Sequence, residues 1–402
     1  MRVSTHSQVL ALIRSHSPIS QSDIRVASGL SASAVSGTVK RAMNLGLVQE
    51  VGLNQKSMGR PHSMLSLNAE YGYAIGVQLN SNHNQMVLTN LWGEVVLSEQ
   101  MHLSSFEPSK VVDAIAAFVA RVGSECVGSR RLVGIGIGLS GIVDPRTGVC
   151  LDSTTLLKWH DVPIAQLVEA RTGLPTTLEN DANALALAEL LFGTHRPHES
   201  FVMVTLGNGI GAGLILEGRV HRGRGGLAGE IGHTRVTFEP GFPCHCGKNG
   251  CLEAVASRAT LLNRVAEVTG QTVQEVAVNG LKAAVASSGA ACAPVLETAG
   301  QMLGAALANL ATTLDPDAVY LAFDPDLDIP ELIHATRSSF AANLLPILRS
   351  RPELRLLIDS GTMWARGASS VAIERFFEAT ALELASIAFP IGGFPAQTLL
   401  HS

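Results

Sequence analysis

Three cysteines within eight residues, in Pro243-Cys244-His245-Cys246-Gly247-Lys248-Asn249-Gly250-Cys251-Leu252-Glu253, constrain this chain more than any other feature. Thiolates at that spacing, on a loop that Gly247 and Gly250 allow to reverse, can occupy three corners of a tetrahedral zinc site. A fourth donor is required. His233, eleven residues before Cys244, is the best placed, whereas His245 falls between two ligands and is expected to point away. The alternative is a group of buried reduced thiols. With Cys244, Cys246, Cys251 and His233 all bound, the metal is closed to water, so a structural role is expected rather than activation of a nucleophile. Six cysteines in 402 residues do not resemble a disulfide framework.

Charge divides the chain unequally. Residues 1–68 hold seven Lys/Arg against two Asp/Glu, a balance of +5, while the remainder holds 22 against 32, or −10. A small basic head can face a polyanion that the acidic body would repel. The longest apolar run, Leu132 to Val143, carries four glycines and a serine and is shorter than the roughly 20 residues a membrane helix needs. No secretory leader pattern opens the sequence, so a cytoplasmic protein is expected.

Within the head, Val9, Leu10, Leu12 and Ile13 give a first helix an apolar side. Ser20-Gln21-Ser22-Asp23 has capping-box spacing for a second, closed by Gly29. A third helix begins at Ser31 with apolar Val35, Val39 and Met43, which turns Ser33, Ser36, Gly37 and Lys40 outward. Leu47–Val51 and Ser63–Leu67 then read as two strands around a polar loop, completing a winged helix-turn-helix over residues 1–70. The third helix of such a unit enters the major groove, so Ser33, Ser36, Thr38 and Lys40 are candidate DNA contacts. Arg60, between Gly59 and Pro61 at the wing tip, is a candidate for a narrow minor groove. The plainer readings are a solvated helix face and an exposed loop arginine.

From Tyr73 the pattern becomes Val/Ile/Gly-rich strands and helices in two similar α/β units, assigned to residues 71–190 and 191–402, with a cleft between them. A helix after Gly367 is read as returning to the first lobe. Leu178-Glu179-Asn180-Asp181-Ala182-Asn183 lies between a strand and a helix, where an amide and a carboxylate either fix adjacent hydroxyls or simply cap the helix. Glu230 and Glu253 flank the cysteine loop, so ordering that loop brings more carboxylates towards one cleft. The glycine-rich Gly207–Gly213 continues as a strand rather than opening a helix, which argues against a dinucleotide fingerprint. Gly134-Ile135-Gly136-Ile137-Gly138 reads as a close-packed strand.

These motifs resemble those of the ROK family (repressors, open reading frames and sugar kinases), specifically its helix-turn-helix transcriptional regulators, over nearly the whole chain. Gly59-Arg60-Pro61 is similar to the family's wing motif, and Glu179-Asn180-Asp181-Ala182 to its sugar motif. Glu230-Ile231-Gly232-His233 with Cys244-x-Cys246-Gly-x-x-Gly-Cys251-x-Glu253 is similar to its zinc signature. The resemblance implies a two-lobed, actin-like (sugar kinase/ribonuclease H-like) body. It also implies that Asn180, Asp181, Glu230, His233 and Glu253 bind sugar hydroxyls, with Gly141 nearby. In family kinases the residue matching Asp181 is the base that deprotonates the phosphorylated hydroxyl.

Such kinases also hold nucleotide phosphates with an Asp and a Gly-Gly-Thr after the first body strand. This chain has Gln78 at the acidic position and Asn80 and Ser81 at the glycines, and reads Tyr320-Leu321-Ala322-Phe323-Asp324-Pro325 where a Gly-Gly meets the adenine. The resemblance therefore implies a sugar-responsive regulator, in the first instance a repressor, with no catalysis. An ATP-dependent sugar kinase carrying a DNA-binding head is the alternative. The expected partners are operator DNA and a sugar effector, with the chain a homodimer or homotetramer; control by a protein partner is a third reading.

Overall fold

The computed structural model describes residues 4–54, 62–80, 84–127, 131–153, 157–193, 200–238, 241–348 and 352–386. They divide into two compact units: Met1–Tyr71 together with the chain from Glu374 onward, and Gly72–Ile373.

In the first unit, helices Thr5–Ser15, Gln21–Ser28 and Ala32–Asn44 are each started by a serine whose hydroxyl accepts a backbone N–H: Ser4 from Ser7, Ser20 from Asp23, Ser31 from Ala34. Gly29 ends the second with φ of +68°, a conformation glycine adopts without strain. Ile19–Ser20, His62–Leu67 and Val48–Asn54 form a three-stranded antiparallel sheet in that order. Val9, Leu10, Ile13, Ile24, Val35, Val39, Leu47 and Leu65 are buried between helices and sheet.

The unit has one part that lies far away in sequence. Helix Met363–Ser386 gives its second half to it, with Phe377, Ala381 and Leu384 buried. Phe376 meets Tyr71 at 6.0 Å between ring centroids, and the Arg14 guanidinium lies 5.1 Å from the Phe377 ring. Arg41 Nη1 donates to the Leu384 carbonyl at 2.5 Å. Residues 374–386 therefore group with the winged helix rather than with the body.

Two five-stranded sheets and a small three-stranded one, Trp159–Val162, Val149–Ser153 and Ile142–Asp144 in that order, make the second unit. The first runs Thr176–Asn180, Arg131–Leu139, Gly72–Leu79, Gln85–Asn90, Val95–Gln100; the second runs Glu353–Ile358, Ala318–Phe323, Phe201–Leu206, Ile210–Leu216, Arg219–Val220. Numbered within each five-stranded sheet, both have the strand order 5-4-1-2-3, with two antiparallel hairpin strands on one side and two parallel crossover strands on the other. This repeated topology is the two-lobed actin-like fold.

Two helices lie where glycines admit them. A Cβ on Gly76 or Gly136 would sit 1.9 Å from the carbonyl oxygen of Ala365 or Ala368, so the first half of helix Met363–Ser386 rests directly on the first sheet. Gly134–Gly138 is thus a packing surface. On the second sheet, a Cβ on Gly213 would sit 2.4 Å from the Ala182 carbonyl, which seats helix Asp181–Phe192 there. Among the described residues no helix is long and apolar enough to cross a membrane.

Candidate effector pocket, metal site and DNA-binding face

Helix Asp181–Phe192 begins where edge strand Thr176–Asn180 ends, so the sugar motif occupies its first turn. Asn180 is the N-cap, its Oδ1 accepting the Ala182 and Asn183 N–H groups at 3.0 and 3.3 Å. Its Nδ2 donates to the Gly141 carbonyl at 3.2 Å. Capping and site-building are therefore the same geometry here. The adjoining Ser140 hydroxyl donates to Asp181 Oδ2, and the Ala182 N–H to Asp181 Oδ1 at 2.8 Å. Burial raises the Asp181 carboxyl above its ordinary range, against the opposing pull of those two hydrogen bonds.

Glu253 enters from the cysteine loop. Its Oε2 accepts the Ile210 N–H at 2.9 Å, and a Cβ on Gly209 would lie 2.7 Å from that oxygen. The glycine turn after Phe201–Leu206 thus receives a carboxylate of the chain itself. His245 places its Nε2 2.5 Å from Glu253 Oε1, and a ring nitrogen of His245 also lies within 4.8 Å of Cys244 Sγ and of His233. Glu230 completes the group: burial raises its carboxyl first, then the charges of Asp181 and Glu253. The charges of Asp181, Glu230 and Glu253 therefore act on one another, while Asn180 is hydrogen-bonded to Gly141 and His233 lies 3.9 Å from Glu230. Sequence reasoning missed Ser140 and the Glu253 contact of His245, which have no motif of their own.

The metal donors converge. Sγ of Cys244, Cys246 and Cys251 and a His233 ring nitrogen all lie within 4.8 Å of one another. A tetrahedral zinc with thiolate bonds of about 2.3 Å separates its ligands by about 3.8 Å. Cys246 and Cys251 sulfurs are 3.7 Å apart, and Cys244 Sγ is 3.6 Å from His233 Nδ1, so the residues fit such an ion. The opposite nitrogen of His233 faces Glu230 Oε2 at 3.9 Å. One imidazole can therefore serve the metal with Nδ1 and the pocket with Nε2. Burial pushes the Cys244 thiol up to about 12, so binding a cation at neutral pH displaces a proton from it.

On the head, Ser33, Ser36 and Lys40 are exposed on the outer face of helix Ala32–Asn44. Thr38 is not available there and is corrected: it is 1% exposed, its hydroxyl donating to the Ala34 carbonyl and lying 2.9 Å from His6 Nδ1. A four-residue spacing of Val35, Val39 and Met43 drifts off the helical stripe. The buried set is Val35, Thr38, Val39 and Ala42, with the 3-1-3 spacing a 3.6-residue turn demands. Arg60, together with Gly59 and Pro61, lies outside the described residues, as does Ser81.

A winged-helix head carried on a kinase-type body defines a class of DNA-binding protein built from an enzyme scaffold. The chain belongs to the ROK family, whose model matches residues 74–335, and residues 4–53 match the MarR family model. It is 30% identical to the xylose repressor of Bacillus spizizenii, over 92% of this chain and 95% of that one. A ROK family transcriptional regulator, a homologue of the Escherichia coli MLC protein, superposes with a TM-score of 0.76 at 24% identity, covering 94% of this chain and 98% of the other; that likeness concerns the fold. A ROK glucokinase from Streptomyces griseus, in complex with glucose and AMPPNP, gives 0.62 at 28% identity over 75% and 100%.

Proposed function

We propose that the protein is a sugar-responsive transcriptional repressor in which Asn180, Asp181, Glu230, His233 and Glu253 take a neutral sugar, with Gly141 lining the site, while Ser33, Ser36, Lys40 and Arg60 meet operator DNA. The observation that carries this is the set of three interacting carboxylates and one capping amide in a chain that also has a winged-helix head. Hydroxyl groups are matched by such acceptors, whereas a phosphate would be repelled. Zinc, held by His233, Cys244, Cys246 and Cys251, supplies a rigid staple that keeps Glu253 and His233 in place. Repression from a palindromic operator calls for a homodimer or homotetramer, in the cytoplasm.

Several features support loss of nucleotide chemistry. Gln78 is a buried neutral amide where phosphate and metal binding call for a carboxylate. The Asn80 N–H donates to Asn84 Oδ1 at 3.0 Å, and the Ile210 N–H is used by Glu253. Beyond strand Ala318–Phe323, Asp326 accepts both Nε and Nη2 of Arg258, at 3.2 and 2.9 Å, and the Lys282 N–H. Phosphoryl transfer rests on positioning and charge neutralisation, which these residues do not offer a triphosphate.

The deciding experiment titrates the protein onto DNA from upstream of its own and neighbouring sugar genes, with and without a panel of neutral sugars, alongside a coupled ADP-release assay. Selective binding relieved by one sugar, with no turnover, is the expected outcome. Turnover on the order of 1 s⁻¹ overturns the non-enzymatic reading. Lys40→Ala and Arg60→Ala are each expected to weaken operator binding and lower the slope of log affinity against log salt by about 1, with sugar affinity unchanged. Unchanged slopes would remove those residues from the interface.

Sugar binding also carries a pH signature. Asp181, raised above its ordinary value of about 4, accepts a hydroxyl only when ionised. Sugar affinity is therefore expected to be full at neutral pH and to fall on acidification through the raised value, as calorimetry at stepped pH would show. The stability contribution of this carboxyl has the opposite sign: it is present below the ordinary carboxylate range and lost as pH rises through the raised value.

A further inference from the structure

The first residue of the sugar motif is a carboxylate that none of the hydroxyl contacts above uses. Glu179 is 1% exposed, at the end of strand Thr176–Asn180 on the edge of the first sheet. A buried carboxylate is costly unless it is paired and its oxygens are hydrogen-bonded. Here Arg222 closes on Oε2 with Nε at 2.7 Å and Nη2 at 2.6 Å, while Oε1 accepts the Asn180 N–H at 3.1 Å and Asn183 Nδ2 at 3.2 Å. Asn183 is itself 2% exposed, and its Oδ1 has no hydrogen-bond partner, so the need of Glu179 for donors sets the orientation of that amide.

Arg222 comes from the other lobe. It follows Arg219–Val220, the edge strand of the second sheet, and starts the segment that ends at Glu230. That segment is held at two further points. Gly226, with φ of +76°, passes so close to the first lobe that a Cβ would lie 2.8 Å from the Val143 carbonyl. Gly229 lies on the backbone of Ala212, whose N–H donates to the Gly229 carbonyl at 2.8 Å.

We propose that Arg222 and Glu179 are a positioning pair for the effector pocket, fixing Asn180 and Asp181 of one lobe against the Glu230 segment of the other without touching the sugar. This deepens the sugar-binding reading and rests on it. It explains why a buried carboxylate with a part-exposed arginine partner, where an apolar side chain would serve stability alone, stands one residue from the hydroxyl acceptors. Removing Arg222 leaves Glu179 buried and uncompensated; removing both charges relieves that cost but leaves the lobes unclasped.

The test titrates D-xylose and D-glucose into the full-length protein and measures melting temperature and metal content in parallel. Arg222→Met is expected to weaken sugar affinity about tenfold or more and to lower the melting temperature, with operator affinity in the absence of sugar unchanged. In the double variant Glu179→Gln/Arg222→Met the melting temperature should recover while sugar affinity stays low. A purely structural pair would regain affinity together with stability, and that result, or an Arg222→Met affinity within twofold of the parent, overturns the proposal. Asp181→Asn is the control for the underlying reading. If it binds sugar as the parent does, or if the parent binds neither sugar, the assignment of the pocket itself fails.

Discussion

Cys246→Ala is expected to release the metal and lower the stability of the body by about 4 kcal/mol or more, placing it among the few single changes of that size. The end of the loop is anchored by buried Cys251 and Leu252 and by backbone bonds to residues 234–237, whereas the turn carrying Cys244 and Cys246 is exposed or half-buried and depends most on the metal. Its own order comes from short backbone hydrogen bonds such as Cys244 N–H to the Lys248 carbonyl and Gly250 N–H to the Phe242 carbonyl, both 2.8 Å. Cys246 is exposed, so the loss cannot be put down to a cavity in an apolar core. Glu253 follows the last thiol ligand by two residues and His233 is itself a donor, so sugar affinity should fall with the metal. Elemental analysis, a thermal melt and a sugar titration check this together. Cys126→Ser, an exposed thiol outside the cluster, serves as the silent control. Unchanged metal content and melting temperature would sink the zinc assignment.

Leu384→Ala, more than 340 residues from the recognition helix, is expected to cost about 3 kcal/mol and to abolish or severely weaken operator binding. Leu384 is fully buried against the winged helix, and its carbonyl receives Arg41 from the end of helix Ala32–Asn44. A head of about 70 residues has little stability to spare, so losing one packed leucine shifts a large share of it. Sugar affinity and metal content belong to the other unit and should not change. Operator titration by fluorescence anisotropy beside sugar calorimetry separates the two. Intact DNA binding with an unchanged melt would show that the helix is not part of the head.

How much of this was visible in the sequence depends on the range of the interaction. Strand Ala318–Phe323 is an unbroken apolar run because a parallel strand buried on both faces needs apolar side chains at every position. A helix after Gly367 was legible, with the first lobe as its partner, but the packing of its second half on the head was not. Its first half is buried against a sheet and its second against the head, so apolar residues face all ways along it and no single stripe names a target. Thr38 was misplaced by a shorter-range error, one residue of helical phase.

The sequence by itself determined the donor types: three thiols and an imidazole at metal-binding spacing, an Asn-Asp pair at a helix start, carboxylates on either side of the cysteine loop, and a basic head on an acidic body. Those depend on local spacing and charge, which a chain carries in one dimension. Only the tertiary structure decided that Ser140 holds Asp181, that His245 turns to Glu253, that Arg222 reaches Glu179 across two sheets, and that the last helix completes the first domain. Each joins residues that are neighbours only once the strands have paired, since burial and hydrogen-bond demand, rather than sequence distance, choose the partner.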